Sequence, residues 1–199
     1  MKTTSLTAET TDRILDTAWS LIVRTGRSDV SLAEIARLAG VSRQALYLAF
    51  GDRTGLLVAM ARRADAASAH SRRMQAIASG DGADGAALHA FVDAWLDHLP
   101  EIYPVGVLLV AAAVTDPAAA SVVRDRMEGS LLDKYAAILV RLARAGGLVG
   151  DWQPKDAAAF CWSLTHIDAW KNLVEGQGWT PARFRSVCHA VIDRTLLAG

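Results

Sequence analysis

The sequence predicts an all-α fold, and three observations carry that reading. Apolar residues recur at every third or fourth position through most of the chain, the period of helices with one buried face. No stretch alternates apolar and polar residues as a half-buried strand does. Glycine, proline and short polar runs, such as SGDGADG at 79–85, divide the chain at helix-sized intervals.

Residues 1–9 are polar and are expected to fray. A first helix is predicted from Thr10 to Arg24, with Ile14, Leu15, Ala18, Trp19 and Ile22 inward and Gly26 ending it. The next stretch, SLAEIARLAGVSRQALYLAF from Ser31 to Phe50, reads as helix, tight turn, helix. Ser31 followed by Glu34 has the form of a capping box. Leu32, Ile35, Ala36 and Ala39 share a face, Gly40 stands where a left-handed backbone closes a helix, and Val41 plugs the turn. Ser42 caps a second helix with Ala45, Leu46 and Phe50 inward and Arg43, Gln44 and Tyr47 outward. Asp52 caps a helix from Arg53 that is expected to run to about Ile77.

Beyond the 79–85 loop, a helix from Ala86 to Leu99 buries Leu88, Phe91, Val92, Trp95 and Leu99. Pro100 and Pro104 bracket an expected bend, and Val105–Val114, apolar all round, is expected to be interior. Asp116 and Pro117 open a helix with Val123, Met127, Leu131, Tyr135, Ile138 and Leu142 along one side and Gly146 and Gly147 at its end. Helices from Lys155 to Glu175 and, after Thr180, from Pro181 to about Leu197 complete the chain. The expected organisation is a domain over 1–52 carrying the helix-turn-helix 31–50, a connecting helix 53–78, and a larger helical domain 79–199.

With 199 residues, 52% of them hydrophobic, the chain can bury a sizeable core. Its net charge is zero, but residues 1–63 hold nine Lys and Arg against six Asp and Glu, and the remainder twelve against fifteen. The basic excess thus falls on the helix-turn-helix half, as phosphate binding requires. Cys161 and Cys188 sit in apolar helices without a short Cys spacing and read as buried free thiols. The amino terminus lacks the apolar core of a signal peptide, and no apolar run reaches the roughly 18 residues of a membrane span. A soluble, cytoplasmic protein with no membrane association is expected.

A recognition helix sets its amino-terminal residues against base edges while flanking groups hold phosphates. Arg43 suits guanine and Gln44 adenine, each by two hydrogen bonds. Tyr47 and Ser42 by hydroxyl, Arg53 by guanidinium, and the helix start at Ser31 by backbone N–H suit phosphate oxygens. On pattern alone these residues equally fit a solvated face.

The runs RILDTAWSLIVRTG and VSLAEIARLAGVSRQALYLAFGDRTGLL resemble the amino-terminal domain of the TetR family of bacterial transcriptional regulators. The resemblance covers the first third of the chain. It implies that Arg43, Gln44 and Tyr47 face a DNA groove, that the helical remainder is a ligand-binding and dimerisation domain, and that the protein is a repressor released by a small molecule. Ala49 stands where the family often has histidine, removing one phosphate contact, and Arg53 replaces a usual lysine while keeping its charge.

One helix-turn-helix makes too few contacts to select a site, so a homodimer on a palindromic double-stranded operator is expected, with half-sites about 34–36 Å apart. By the resemblance, helices 155–175 and 181–197 pair with their copies. Ala158, Trp162, Thr165, Ala169 and Leu173 on the first, and Phe184, Val187, Val191 and Leu196 on the second, are the stripes for that contact, or for the chain's own core. The expected switch is mechanical: a ligand in the helical domain shifts the connector and respaces the recognition helices.

Six tryptophans are many for this length, and aromatic walls with a few polar groups make small-molecule cavities. Trp95, His98, Tyr103, Met127, Tyr135, Trp162 and His166 are the candidate lining, with plain core as the alternative for each. His166, one turn from Trp162 and from Trp170, fits a cavity wall or a satisfied core position. No histidine pair has i, i+4 metal spacing, Cys161 and His166 are misaligned for a thiolate and its base, and no phosphate loop follows a strand. No enzyme activity, cofactor or metal is therefore expected. The alternative reading is a helical small-molecule binding protein of the same fold that does not act on DNA.

Overall fold

The computed structural model describes residues 6–25 and 30–198, with the backbone alone for residues 126–128. Among these residues there is no strand, only an isolated antiparallel bridge between Leu148 and Leu197. No helix among them is long and apolar enough to cross a membrane. By contacts the chain forms two units, Met1–Ala67 with Ile102–Val123, and Ser68–Glu101 with Arg124–Gly199.

The first unit holds α1 (Ala8–Thr25), α2 (Leu32–Ala39), α3 (Arg43–Phe50) and α4 (Arg53–Ala67), with α7 (Pro117–Val123) and the end of α6 (Gly85–Ala112). Its core joins Ile14, Ala18 and Ile22 of α1 to Ile35 and Ala36 of α2, Leu46 of α3, and Leu56, Leu57 and Met60 of α4. Val105, Leu109, Ala119 and Val122 complete it. Asp116 opens α7 as its spacing predicts, its Oδ1 accepting from the N–H of Ala118 at 2.8 Å and of Ala119 at 3.3 Å. A hydrogen bond from Thr54 of α4, followed by those backbone N–H groups, holds the Asp116 carboxyl below its ordinary value. Gly26, expected to end α1, lies outside the described residues.

Three sequence expectations are corrected here. The single helix expected over 53–78 is two, α4 and α5 (Ala69–Ser79), with Ser68 extended between them at φ −69, ψ 126. The Ser68 hydroxyl oxygen accepts from the Ser71 N–H at 3.1 Å and lies 3.2 Å from His98 Nδ1 in the interior. That buried partner fixes the break. Conversely, α6 runs unbroken through Pro100 and Pro104, where a bend is expected. The two prolines stand one turn apart, so their missing donors fall on one line of the helix. Buried Leu96 and Leu99 before them and Val105 and Leu109 after them anchor the helix on both sides. Nor is the Val105–Val114 stretch wholly interior: Val114 is 84% exposed, because burial demands apolar residues while exposure does not forbid them.

The second unit packs α5, the first part of α6, α8 (Leu131–Arg144), α9 (Pro154–Leu164), the short α10 (Ile167–Trp170) and α11 (Pro181–Thr195). Wider π-helical turns follow α7 over Arg124–Ser130 and α10 over Lys171–Gly176. The helix expected over 155–175 is interrupted at Thr165 and His166, the latter extended at ψ 153. Fully buried Thr165 accounts for this. Its carbonyl accepts from the Trp95 indole at 2.9 Å, and its hydroxyl bonds both the Cys161 carbonyl and the Tyr135 phenol at 2.9 Å. A carbonyl turned to an indole no longer continues a helical ladder. Ala158, Thr165, Phe184 and Leu196 of the two expected dimer stripes are buried in this chain's own core, while Val187 is 37% exposed and Trp162, Ala169, Leu173 and Val191 are half-buried. Arg141 on α8 closes the end of α5, donating to the carbonyls of Ala78 at 2.8 Å, Ile77 at 3.1 Å and Gly82 at 3.0 Å. Ala78 and Ile77 belong to the last turn of α5, where carbonyls lack partners further along the helix, and Gly82 lies in the loop that follows.

Cys161 and Cys188 are buried free thiols, both pushed up to about 12 chiefly by that burial. Between α6 and α11 a ladder of basic and acidic side chains repeats every fourth residue in opposite order. His89 Nε2 lies 2.8 Å from Asp193 Oδ1, His189 Nε2 lies 3.0 Å from Asp93 Oδ1, and Arg185 meets Asp97. The two imidazoles stack at 4.3 Å with 6° between their planes, which leaves His89 Nε2 and His189 Nε2 off the hydrogen-bond axis despite the short distances.

Two outcomes follow. Thr165→Val strands the buried Tyr135 hydroxyl and lowers the unfolding free energy by about 1–3 kcal/mol in denaturant titration. Tyr135→Phe costs about 1 kcal/mol, and the double variant costs less than the sum because nothing is then stranded. Desolvation, before any charge effect, lowers the His189 pKa from 6.5. The folded state therefore binds this proton less readily than the unfolded chain. Its contribution is fully present above about pH 6.5 and declines as pH falls below that value. His189→Gln flattens the slope of the melting midpoint between pH 6.5 and 5.

Candidate nucleic-acid interface

The helix-turn-helix is built by local chemistry. Ser31, extended at ψ 149, accepts from the Glu34 N–H at 3.1 Å and starts α2. Gly40, left-handed at φ 67, ends it, and the Val41 N–H returns to the Ala36 carbonyl at 3.0 Å. Ser42 then starts α3, its Oγ accepting from the Ala45 N–H at 3.0 Å. Arg13 of α1 fastens the turn from outside, its Nε donating to the Ala39 carbonyl at 3.2 Å. Arg63 of α4 holds α1, with Nη2 2.9 Å from Asp16 and Nη1 donating to the Asp12 carbonyl at 3.0 Å.

On α3, Leu46 is fully buried, Ala45 and Phe50 are half-buried, and Arg43, Gln44 and Tyr47 are exposed. Ser31 and Ser42 are exposed and Arg53 half-buried. Each serine oxygen is used as a cap acceptor, which leaves its O–H free to donate.

The joint after α3 rests on two glycines. Gly51, at φ 74, closes α3 with its N–H on the Tyr47 carbonyl at 2.8 Å. Asp52 caps α4 through the Gly55 N–H at 2.8 Å, and a Cβ on Gly55 would stand 1.9 Å from the Phe50 carbonyl oxygen. Gly55 is a residue the sequence reading passed over. Its signal is a glycine inside the first turn of a helix, where Ala is otherwise better.

The amino-terminal domain matches the model of the bacterial regulatory proteins of the tetR family over residues 14–60. Its helix-turn-helix domain is of the TetR family. Solved structures share the fold over nearly the whole chain. A protein of Saccharomonospora viridis, described as a transcriptional regulator and crystallised with choline, is 20% identical with a TM-score of 0.79, covering 97% of this chain and 100% of its own. SmeT in complex with triclosan is 19% identical with a TM-score of 0.72 over 96% and 92% of the two chains. NalD of Pseudomonas aeruginosa, the secondary repressor of the MexAB-OprM multidrug efflux pump, is 18% identical with a TM-score of 0.65 over 95% and 96%. No curated protein matches the sequence.

Outside the TetR-family domain the candidate lining residues fall into separate groups. Trp95 and Tyr135 meet at Thr165, where the indole N–H and the phenol are already bonded. His98, 2% exposed, packs its ring 6.3 Å from that of Trp95. Trp162 and His166 pair at 4.8 Å. Tyr103 belongs to the other unit, and the Met127 side chain lies outside what is described. Ser68 and Glu101 both approach His98, but through the same ring nitrogen, Nδ1, at 3.2 and 3.4 Å. A nucleophile relay needs one partner on each nitrogen, so these three do not form one.

The glycine geometry separates two kinds of constraint. Gly55→Ala drives a methyl into backbone and destabilises by about 2 kcal/mol or more, read as a lowered unfolding midpoint. Gly40→Ala meets nothing within 4 Å and loses only the left-handed preference, about 1–2 kcal/mol.

Proposed function

We propose that this protein is a sequence-specific DNA-binding transcriptional regulator that acts as a homodimer on an inverted-repeat operator and is released by a small molecule. The observation that carries this is the outward face of α3, where Arg43, Gln44 and Tyr47 stand exposed on a helix fixed by the Ser42 cap and the Gly51 and Gly55 joint. Arg43 and Gln44 read base edges. Tyr47, Ser42, Arg53 and the start of α2 at Ser31 hold phosphates and set register.

Self-association runs through the α9 to α11 region, where Trp162, Leu173, Val187 and Val191 keep apolar surface that this chain's core does not use. Choline and triclosan, bound by two proteins of the same fold, support a small-molecule effector in the helical unit. The chain passes between the units at 67–68, 101–102 and 123–124, and these crossings carry an effector's influence to the TetR-family domain. A differential affinity of about 1–3 kcal/mol changes operator binding roughly 5–150-fold.

Selection of DNA from a random pool by the purified protein, at a stated moderate salt, tests the reading. An inverted repeat is expected. Arg43→Ala is expected to cost about 1–3 kcal/mol at one guanine per half-site while other positions keep their preference. Recovery of no sequence above non-specific background, by folded protein, overturns the reading in favour of a helical binding protein that does not act on DNA.

A further inference from the structure

The outward face of α3 holds one residue that neither capping nor packing explains. Leu48 is 66% exposed, whereas Leu46 of the same helix is fully buried. At about 100° per residue, Leu48 lies directly one turn beyond Gln44, as Tyr47 lies one turn beyond Arg43. The face therefore has two columns, Arg43 with Tyr47 and Gln44 with Leu48, and three of its four members are polar or carry a polar tip. A large aliphatic side chain there has no matching chemistry in water or phosphate.

In the major groove the base edges present donors, acceptors and a single kind of apolar group, the C5 methyl of thymine. We infer that Leu48 reads a thymine methyl, one to two base pairs from the pair read by Gln44. The spacing follows from the helix: one turn advances about 5.4 Å, against about 3.4 Å per base step. Gln44 on an A·T pair and Leu48 on a neighbouring thymine give the half-site an A·T-rich stretch beside the guanine of Arg43. The inference rests on the proposed function above.

The test uses the full-length protein and its selected operator, with each thymine replaced in turn by deoxyuridine, which lacks only the C5 methyl. Wild-type protein is expected to lose about fourfold in affinity at one thymine per half-site, the worth of one buried methyl. Leu48→Ala is expected to bind the thymine and uracil versions equally, with an unchanged melting midpoint, and Arg43→Ala to keep the fourfold ratio. If wild type binds its operator but tolerates uracil at every position, or if Leu48→Ala keeps the thymine preference, the inference is overturned while the regulator reading stands. If wild type selects no sequence, both fall together.

Discussion

The second unit depends on what happens at one peptide carbonyl. Thr165 is fully buried, and its carbonyl is taken by the indole of Trp95, seventy residues away in sequence. Its hydroxyl faces both the Cys161 carbonyl and the Tyr135 phenol. An unpaired carbonyl in this setting would cost about 1–3 kcal/mol, so the helix breaks only because a donor arrives from α6. Three helices, α6, α8 and α9, are thereby fixed at one point, and Phe91 of α6 packs edge-on against the Tyr135 ring beside it.

The same logic separates what was legible in the chain from what was not. Several helix starts that rest on a side chain and a backbone N–H a few residues away were readable, as at Ser31, Ser42, Asp52, Asp116 and Thr180. The outward residues of α3 were readable for the same reason, because eight residues between two caps leave little freedom. The breaks at Ser68 and Thr165 were not, since their causes, His98 and Trp95, lie thirty and seventy residues away. Periodicity sees a continuous apolar stripe in both places. The passage of α6 through two prolines is the converse case, in which burial on both sides outweighs a local rule. Arg141 is a further distant partner, since a lone arginine in a helix carries no mark of the three carbonyls it will meet.

In the first unit the order of constraints is different. Almost every group that positions α3 is local, from the Ser42 cap to the carbonyl of Phe50 resting over Gly55. Distant contacts enter through the core at Leu46 and as two clamps, Arg13 on the end of α2 and Arg63 on α1. A recognition element specified by neighbours in sequence can vary its exposed residues without disturbing its frame. That is the property required of a surface that must be retuned for one operator or another.

The buried thiols have a practical consequence. With Cys161 and Cys188 buried and their thiols pushed up to about 12 by that burial, neither offers a thiolate to oxidants or alkylating reagents at neutral pH. The native chain is thus already a cysteine-silent background for chemical labelling. A dye or spin probe attached to one added surface cysteine would report from that position alone.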